Sequence, residues 1–140
     1  MVGPEIYVDV NVFVYWLGGH HLFGETSYKW VKEIERSVRG KYITSTLTIY
    51  QLLIIIAGLT GKNLKDKGLV EGLIDSITGL LGLQIVPLTV EDFSEAKNLM
   101  GEYGLDFEDA LHLASALRYD VKEIISNDLD FDQTPLKRIF

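Results

Sequence analysis

The chain has 140 residues, 47% of them hydrophobic and 24% charged, with a formal net charge of −7 and no cysteine. That length and balance fit one soluble globular domain over 1–140 that buries its own core, while the missing cysteines exclude disulfides, thiolate metal sites and cysteine nucleophiles. The negative charge argues against a generally basic nucleic-acid surface and suits carboxylates gathered around a cation, although acidity also serves solubility alone.

Taken in chain order, Ile6-Tyr7-Val8 is a short β-rich run ending at Asp9. Asn11 to Leu17 is apolar and aromatic, fit for a short helix or a loop turning back over a sheet, and Gly18-Gly19 breaks it. Glu25 to Val38 predicts a helix with Tyr28, Val31, Ile34 and Val38 on its inner face, ended by Gly40. Tyr42-Ile43 predicts a second strand. Ser45 or Thr46 then caps a helix to about Leu59, followed by Gly61. Leu52 to Ala57 contains no polar residue, so that helix is either central or covered by another subunit.

Leu64 to Leu81 carries a helical pattern weakened by three glycines. Gln84-Ile85-Val86 predicts a third strand, closed by Pro87. Thr89 is an N-cap with Asp92 as its acidic partner, for a helix to about Tyr103. Asp106 caps the next helix, Glu123 to Ser126 predicts a fourth strand, and Leu136 to Phe140 can supply an edge strand. Short apolar strands alternating with helices predict an α/β class: a three-layer α/β/α sandwich around a short, mostly parallel sheet. The longest apolar run, Leu52 to Leu59, cannot cross a bilayer, and no basic segment followed by an apolar stretch opens the chain. The expected location is the cytoplasm, without membrane attachment.

Ligands of open α/β sheets bind beyond the carboxyl ends of the strands. Asp9 directly follows the first strand, Asp128 follows the fourth by two residues, and Asp109 opens the helix before that fourth strand. If strands one and four are neighbours, the three carboxylates converge. Hard cations such as Mg²⁺ and Mn²⁺ take oxygen ligands, and such a site can ionise water and steady an in-line phosphoryl displacement without a Ser, Cys or His nucleophile. Each residue also has a purely structural role open to it. Asp9 suits a strand-end turn, Asp109 complements a helix dipole, and Asp128 and Asp130 suit an ordinary loop.

Three segments carry a resemblance: Val8-Asp9-Val10-Asn11-Val12-Phe13, Asp109-Ala110-Leu111-His112-Leu113-Ala114-Ser115-Ala116, and Ile124-Ile125-Ser126-Asn127-Asp128-Leu129-Asp130-Phe131. In order and spacing they resemble the PIN-domain family, especially its VapC-like toxins, and together frame nearly the whole chain. The resemblance implies an endoribonuclease supported by Mg²⁺ or Mn²⁺, with Asp9, Asp109 and Asp128 as catalytic acids and metal ligands. It also implies Asn11 orienting Asp9 or a water, Ser126 hydrogen-bonding within the site, and Asp130 as an auxiliary carboxylate. It further implies a homodimer and a small antitoxin partner.

One position departs from the family. Ser45-Thr46-Leu47-Thr48-Ile49-Tyr50-Gln51-Leu52 resembles a segment that usually carries an acid where Gln51 stands. Glutamine offers a carbonyl oxygen but no charge. The alternative is therefore a catalytically degenerate PIN-like module that binds RNA or protein, with a phosphatase-like hydrolase as a third reading. A haloacid-dehalogenase-type D-x-D is absent, since that position reads Asp9-Val10-Asn11, and no phosphate-cradling glycine loop occurs. The histidines, His20 and His21 in a glycine-flanked loop and His112 in an apolar helix, lack ligand spacing for zinc. His112 lies three residues beyond Asp109 and reads as a packed core histidine, with a place near the site as the alternative.

Overall fold

The computed structural model describes residues 3–140. Five strands, β1 (Ile6–Val8), β2 (Tyr42–Ser45), β3 (Leu83–Val86), β4 (Glu123–Ile125) and β5 (Lys137–Ile139), form one sheet in the order β3-β2-β1-β4-β5. Every neighbouring pair is parallel. The helices are α1 (Val10–Leu17), α2 (Gly24–Arg36), α3 (Thr46–Thr60), α4 (Lys67–Thr78), α5 (Val90–Tyr103) and α6 (Phe107–Arg118), with a 3₁₀ turn over Leu129–Gln133.

The period-two alternation of strand side chains splits the core into two. Ile6, Val8, Tyr42, Leu83 and Ile125 pack with α1 to α4, while Tyr7, Ile43 and Ile124 pack with α5 and α6. This is the three-layer α/β/α arrangement. The chain runs outward through β2 and β3 on one side of β1, then returns to place β4 and β5 on the other. The reversal of strand order between β1 and β4 opens a crevice at their carboxyl ends, the usual ligand position in such sheets.

Helix α2 ends earlier than its glycine predicts. The Ser37 hydroxyl (2.8 Å) and backbone N–H (3.2 Å) both donate to the Ile34 carbonyl and close the last turn. Val38 therefore lies outside the helix and exposed, Tyr28 is half out of the core, and Gly40 makes the turn into β2 at φ +102°. Gly82 packs on this terminus: a Cβ there would stand 2.0 Å from the Ile34 carbonyl oxygen, so only glycine fits. Helix α4 likewise begins later than its pattern, at the Asp66 cap. The Thr89–Asp92 capping box opens α5 as its sequence predicts.

Helix α3 is not a central helix. Its Leu52, Ile56 and Ala57 enter the core, while Tyr50, Ile54, Ile55 and Leu59 face outward. An apolar sequence on all sides here leaves an apolar stripe on the surface.

Candidate metal centre

Register sets the centre of the site. Val8 pairs with Ile125, and the ladder continues one step further through the Asp9 N–H donating to the Ile125 carbonyl (3.0 Å) and the Ser126 N–H to the Ile139 carbonyl (3.0 Å). Asp9 and Ser126 thereby emerge side by side at the crevice. Asp9 caps α1, its Oδ1 accepting from the Val10 N–H (2.8 Å), while Oδ2 accepts from the Ser126 hydroxyl (2.7 Å). Ser126 Oγ in turn accepts from Asn11 Nδ2 (3.3 Å) and from the Asp128 N–H (3.0 Å), so one hydroxyl joins β1, α1 and the loop after β4.

The carboxylates occupy two depths. Asp109, Asp128 and Asp130 form a group whose oxygens lie within 4.8 Å of one another. Asp109 is placed by the first turn of α6, where its N–H donates to the Asp106 cap (2.8 Å), and Asp128 caps the 3₁₀ turn by accepting from the Asp130 N–H (2.9 Å). Asp9 stands apart from this tight group. It is buried where they are partly or fully exposed, and it interacts with Asp109 electrostatically. Burial, first, and then the charges of Asp106, Asp128, Asp9 and Asp130 push Asp109 up to about 8. Burial also pushes Asp9 up to about 6, against the lowering effect of Ser126 and Val10, with Asp128 and Asp106 adding to the rise. The cluster cannot hold its full negative charge unaided at neutral pH.

The donor set fits a hard divalent cation. All three clustered donors are carboxylate oxygens, and among the described residues the buried Oδ1 of Asn11 finds no hydrogen-bond partner. Thiolates are absent, and burial holds His112 down to about 4, hence neutral at pH 7.

Gln51 sits at the wall of this site with both ends of its amide engaged. Its Oε1 is 2.6 Å from His112 Nε2, and its Nε2 donates to Glu108 Oε2 at 2.6 Å. The carbonyl that could have faced a cation is instead bound to a histidine. His112 is both packed and close to the site: buried, 2.6 Å from the Tyr7 hydroxyl at Nδ1, and 3.9 Å from Asp9 Oδ1 at Nε2. With an acceptor at Nε2, the neutral ring carries its proton there, and Nδ1 accepts from Tyr7. The Tyr7 oxygen also lies 3.0 Å from Ser45 Oγ, completing a buried polar chain from β2 to the Glu108 carboxylate. Nothing local in the sequence marks Glu108 as Gln51's partner, because it arrives from another helix. Asp106 read only as a cap, yet its charge acts on Asp9 and Asp109 as well.

The PIN domain family model matches residues 6–137. No curated protein sequence matches the chain. Solved structures share the fold at low identity. The VapC20 toxin of Mycobacterium tuberculosis, described as cleaving the sarcin-ricin loop, has a TM-score of 0.72 and 14% identity over 91% of this chain and 93% of its own. A toxin-antitoxin complex from Klebsiella pneumoniae gives 0.65 and 16% over 95% and 99%. VapBC2 of Rickettsia felis, bound to a DNA fragment from its promoter, gives 0.66 and 17% over 96% and 98%. At these identities the likeness shows the fold alone.

Proposed function

Because the chain belongs to the PIN-domain family, we propose that it is an endoribonuclease hydrolysing RNA phosphodiester bonds at a Mg²⁺ or Mn²⁺ site built on Asp9, Asp109 and Asp128. One observation carries this reading. Asp109, Asp128 and Asp130 converge to within 4.8 Å, electrostatically coupled to a buried Asp9, with Asp109 raised to about 8 by burial and then by the surrounding carboxylates.

Asp9, Asp109 and Asp128, with Asp130 beside them, would hold the cation. Bound there, it would supply Lewis-acid chemistry: ionising a water and offsetting the charge that builds on a phosphoryl group in displacement. The protein's own groups do the positioning. Ser126 holds the Asp9 carboxyl in one rotamer and ties it to the Asp128 loop. Asn11 keeps its orphaned carbonyl oxygen free for a ligand or water. Among the described residues at the site, neither Ser126 nor His112 is poised as a nucleophile, since the Ser126 hydroxyl is committed to Asp9 and His112 is neutral and engaged at both nitrogens.

The toxin-antitoxin relatives support extending the reading to a toxin acting as a single domain in the cytoplasm, with a small antitoxin as partner. No helix among the described residues is long and apolar enough to cross a membrane. The outward stripe of α3, with Tyr50, Ile54 and Leu59 exposed, supports a homodimer.

The second reading, a catalytically degenerate binding module, rests on Gln51, whose polar atoms are satisfied inside the protein. Cleavage of single-stranded and folded RNA with added Mg²⁺ or Mn²⁺ separates the two. Asp9→Asn should lower the rate at least ~100-fold, on the scale of losing a central electrostatic group. If the variant cleaves as well as the parent, the assigned site is wrong. RNA binding without cleavage in either protein selects the binding module, and cleavage of a phosphomonoester but not RNA selects a phosphatase.

A further inference from the structure

Residues 10–24 contain no aspartate or glutamate, although the chain has 20 of them. The same stretch gathers aromatic rings. His20 and His21 stack at 5.1 Å between centroids with a 14° interplanar angle, and His20 stacks on Phe23 at 5.0 Å and 23°. Tyr15 closes the group, 4.9 Å from His20 and 5.2 Å from Phe23, with Phe140 edge-on to both Tyr15 and Phe23.

This loop is built rather than loose. His20 Nδ1 accepts from the Leu22 and Phe23 N–H groups, both at 3.1 Å, which fixes the ring and puts its proton on Nε2. Gly19 turns the chain at φ +63°, and a Cβ on Gly24 would press to 3.2 Å of the Tyr15 carbonyl, so the loop lies tightly on α1. His21 is left exposed on the outer end of the stack.

The ring cluster sits beside the acidic site. Asn11, which bonds Ser126, and Tyr15, which receives a hydrogen bond from Asn127 Nδ2 (3.4 Å), are four residues apart on one face of α1. They are separated by about 6 Å along the helix axis. The shelf therefore begins one helical turn from Asn11, beside Asn127 in the loop after β4, on a segment that itself carries no acidic side chain to repel a polyanion.

The geometry points to a base-stacking platform: His21, backed by His20 and Phe23, takes an unstacked nucleobase of the same strand whose phosphate is held at the acidic site. This deepens the endoribonuclease reading and rests on it for the substrate class. Single-stranded RNA is held in this way, by aromatic and histidine faces that accept any base. A duplex, whose bases are already stacked, would not fit.

The test uses the full chain and a single-stranded oligoribonucleotide carrying one 2-aminopurine. In chelator, where no cleavage occurs, the wild type should quench its fluorescence and His21→Ala should not, while His21→Phe should restore quenching and His21→Lys should not. In the cleavage assay His21→Ala should raise KM by about 5- to 100-fold, the range for loss of one stacked base, with kcat within about twofold. Unchanged quenching and KM in His21→Ala, as expected if the rings instead seat a partner protein, overturns the platform even where Asp9-dependent cleavage is intact. If no RNA is cleaved, the nuclease reading fails while the quenching arm still decides the platform. Rescue by lysine rather than phenylalanine would mean a charge contact and also overturns it.

Discussion

Replacing Asp109 by asparagine should make the cation-free protein more stable. In the native state burial and four neighbouring acids push this carboxyl up to about 8, against 3.8 for an ordinary aspartate. A group whose native value is raised favours its protonated form on folding. Its stabilising contribution is therefore full below about pH 4 and is lost as pH rises to about 8. At ~1.4 kcal/mol per pH unit the separation corresponds to about 6 kcal/mol. Asp109 is only partly buried, so solvent screening leaves about 2–3 kcal/mol. Asparagine keeps the shape and gives up ~0.5 kcal/mol of favourable charge in the first turn of α6. At pH 8 in chelator the variant should gain about 2 kcal/mol, a rise in Tm of roughly 6–8 °C. At pH 4 the difference should vanish. Calorimetry at pH 4, 6 and 8 reads this directly. Added Mn²⁺ should then raise the Tm of the wild type but hardly that of the variant, because only the wild type gains the ligand's binding energy on folding. A variant no more stable than the parent at pH 8, or equally favoured at pH 4 and pH 8, would refute the idea that Asp109 is held there at electrostatic cost.

Gln51→Glu would set a carboxylate against Glu108 where an amide now donates at 2.6 Å. We expect a loss of about 1–2 kcal/mol at pH 8 without cation, recovered when Glu108→Gln is added, and higher Mn²⁺ affinity by isothermal calorimetry in the double variant. No change in stability on Gln51→Glu would mean that the amide does not hold Glu108. Ile54→Lys combined with Leu59→Lys should convert a dimer to a monomer in light scattering while leaving the Tm nearly unchanged, since both side chains face outward. A wild type already monomeric at tens of µM would rule out the α3 interface.

Much of the architecture is legible from local chemistry. Ile6-Tyr7-Val8 and Gln84-Ile85-Val86 are short apolar runs between breakers, and they are strands. Thr89 with Asp92, and Asp106, carry their own capping instructions. Such signals act over three or four residues, so the sequence alone is enough to place them. The stop of α2 was not legible in this way. Ser37 closes the helix before Gly40, and the close seat of Gly82 against Ile34 depends on a segment arriving from 48 residues later.

The candidate site divides along the same line. Asp9, Asp109 and Asp128 stand at the ends of elements, so their types and positions mark them from the sequence. Which of them come together depends on strand order, and only the β1–β4 pairing places Ser126 on Asp9. Pairing and packing also decide that Asp130 joins the tight group while Asp9 is buried outside it. The role of Gln51 was wholly tertiary. From sequence it is an acid position without an acid; in the fold its amide joins a histidine three residues after Asp109 to the carboxylate one residue before it. Composition fixes which groups are available, but a hydrogen bond spanning 57 residues exists only once the fold has brought α3 and α6 to one edge of the site.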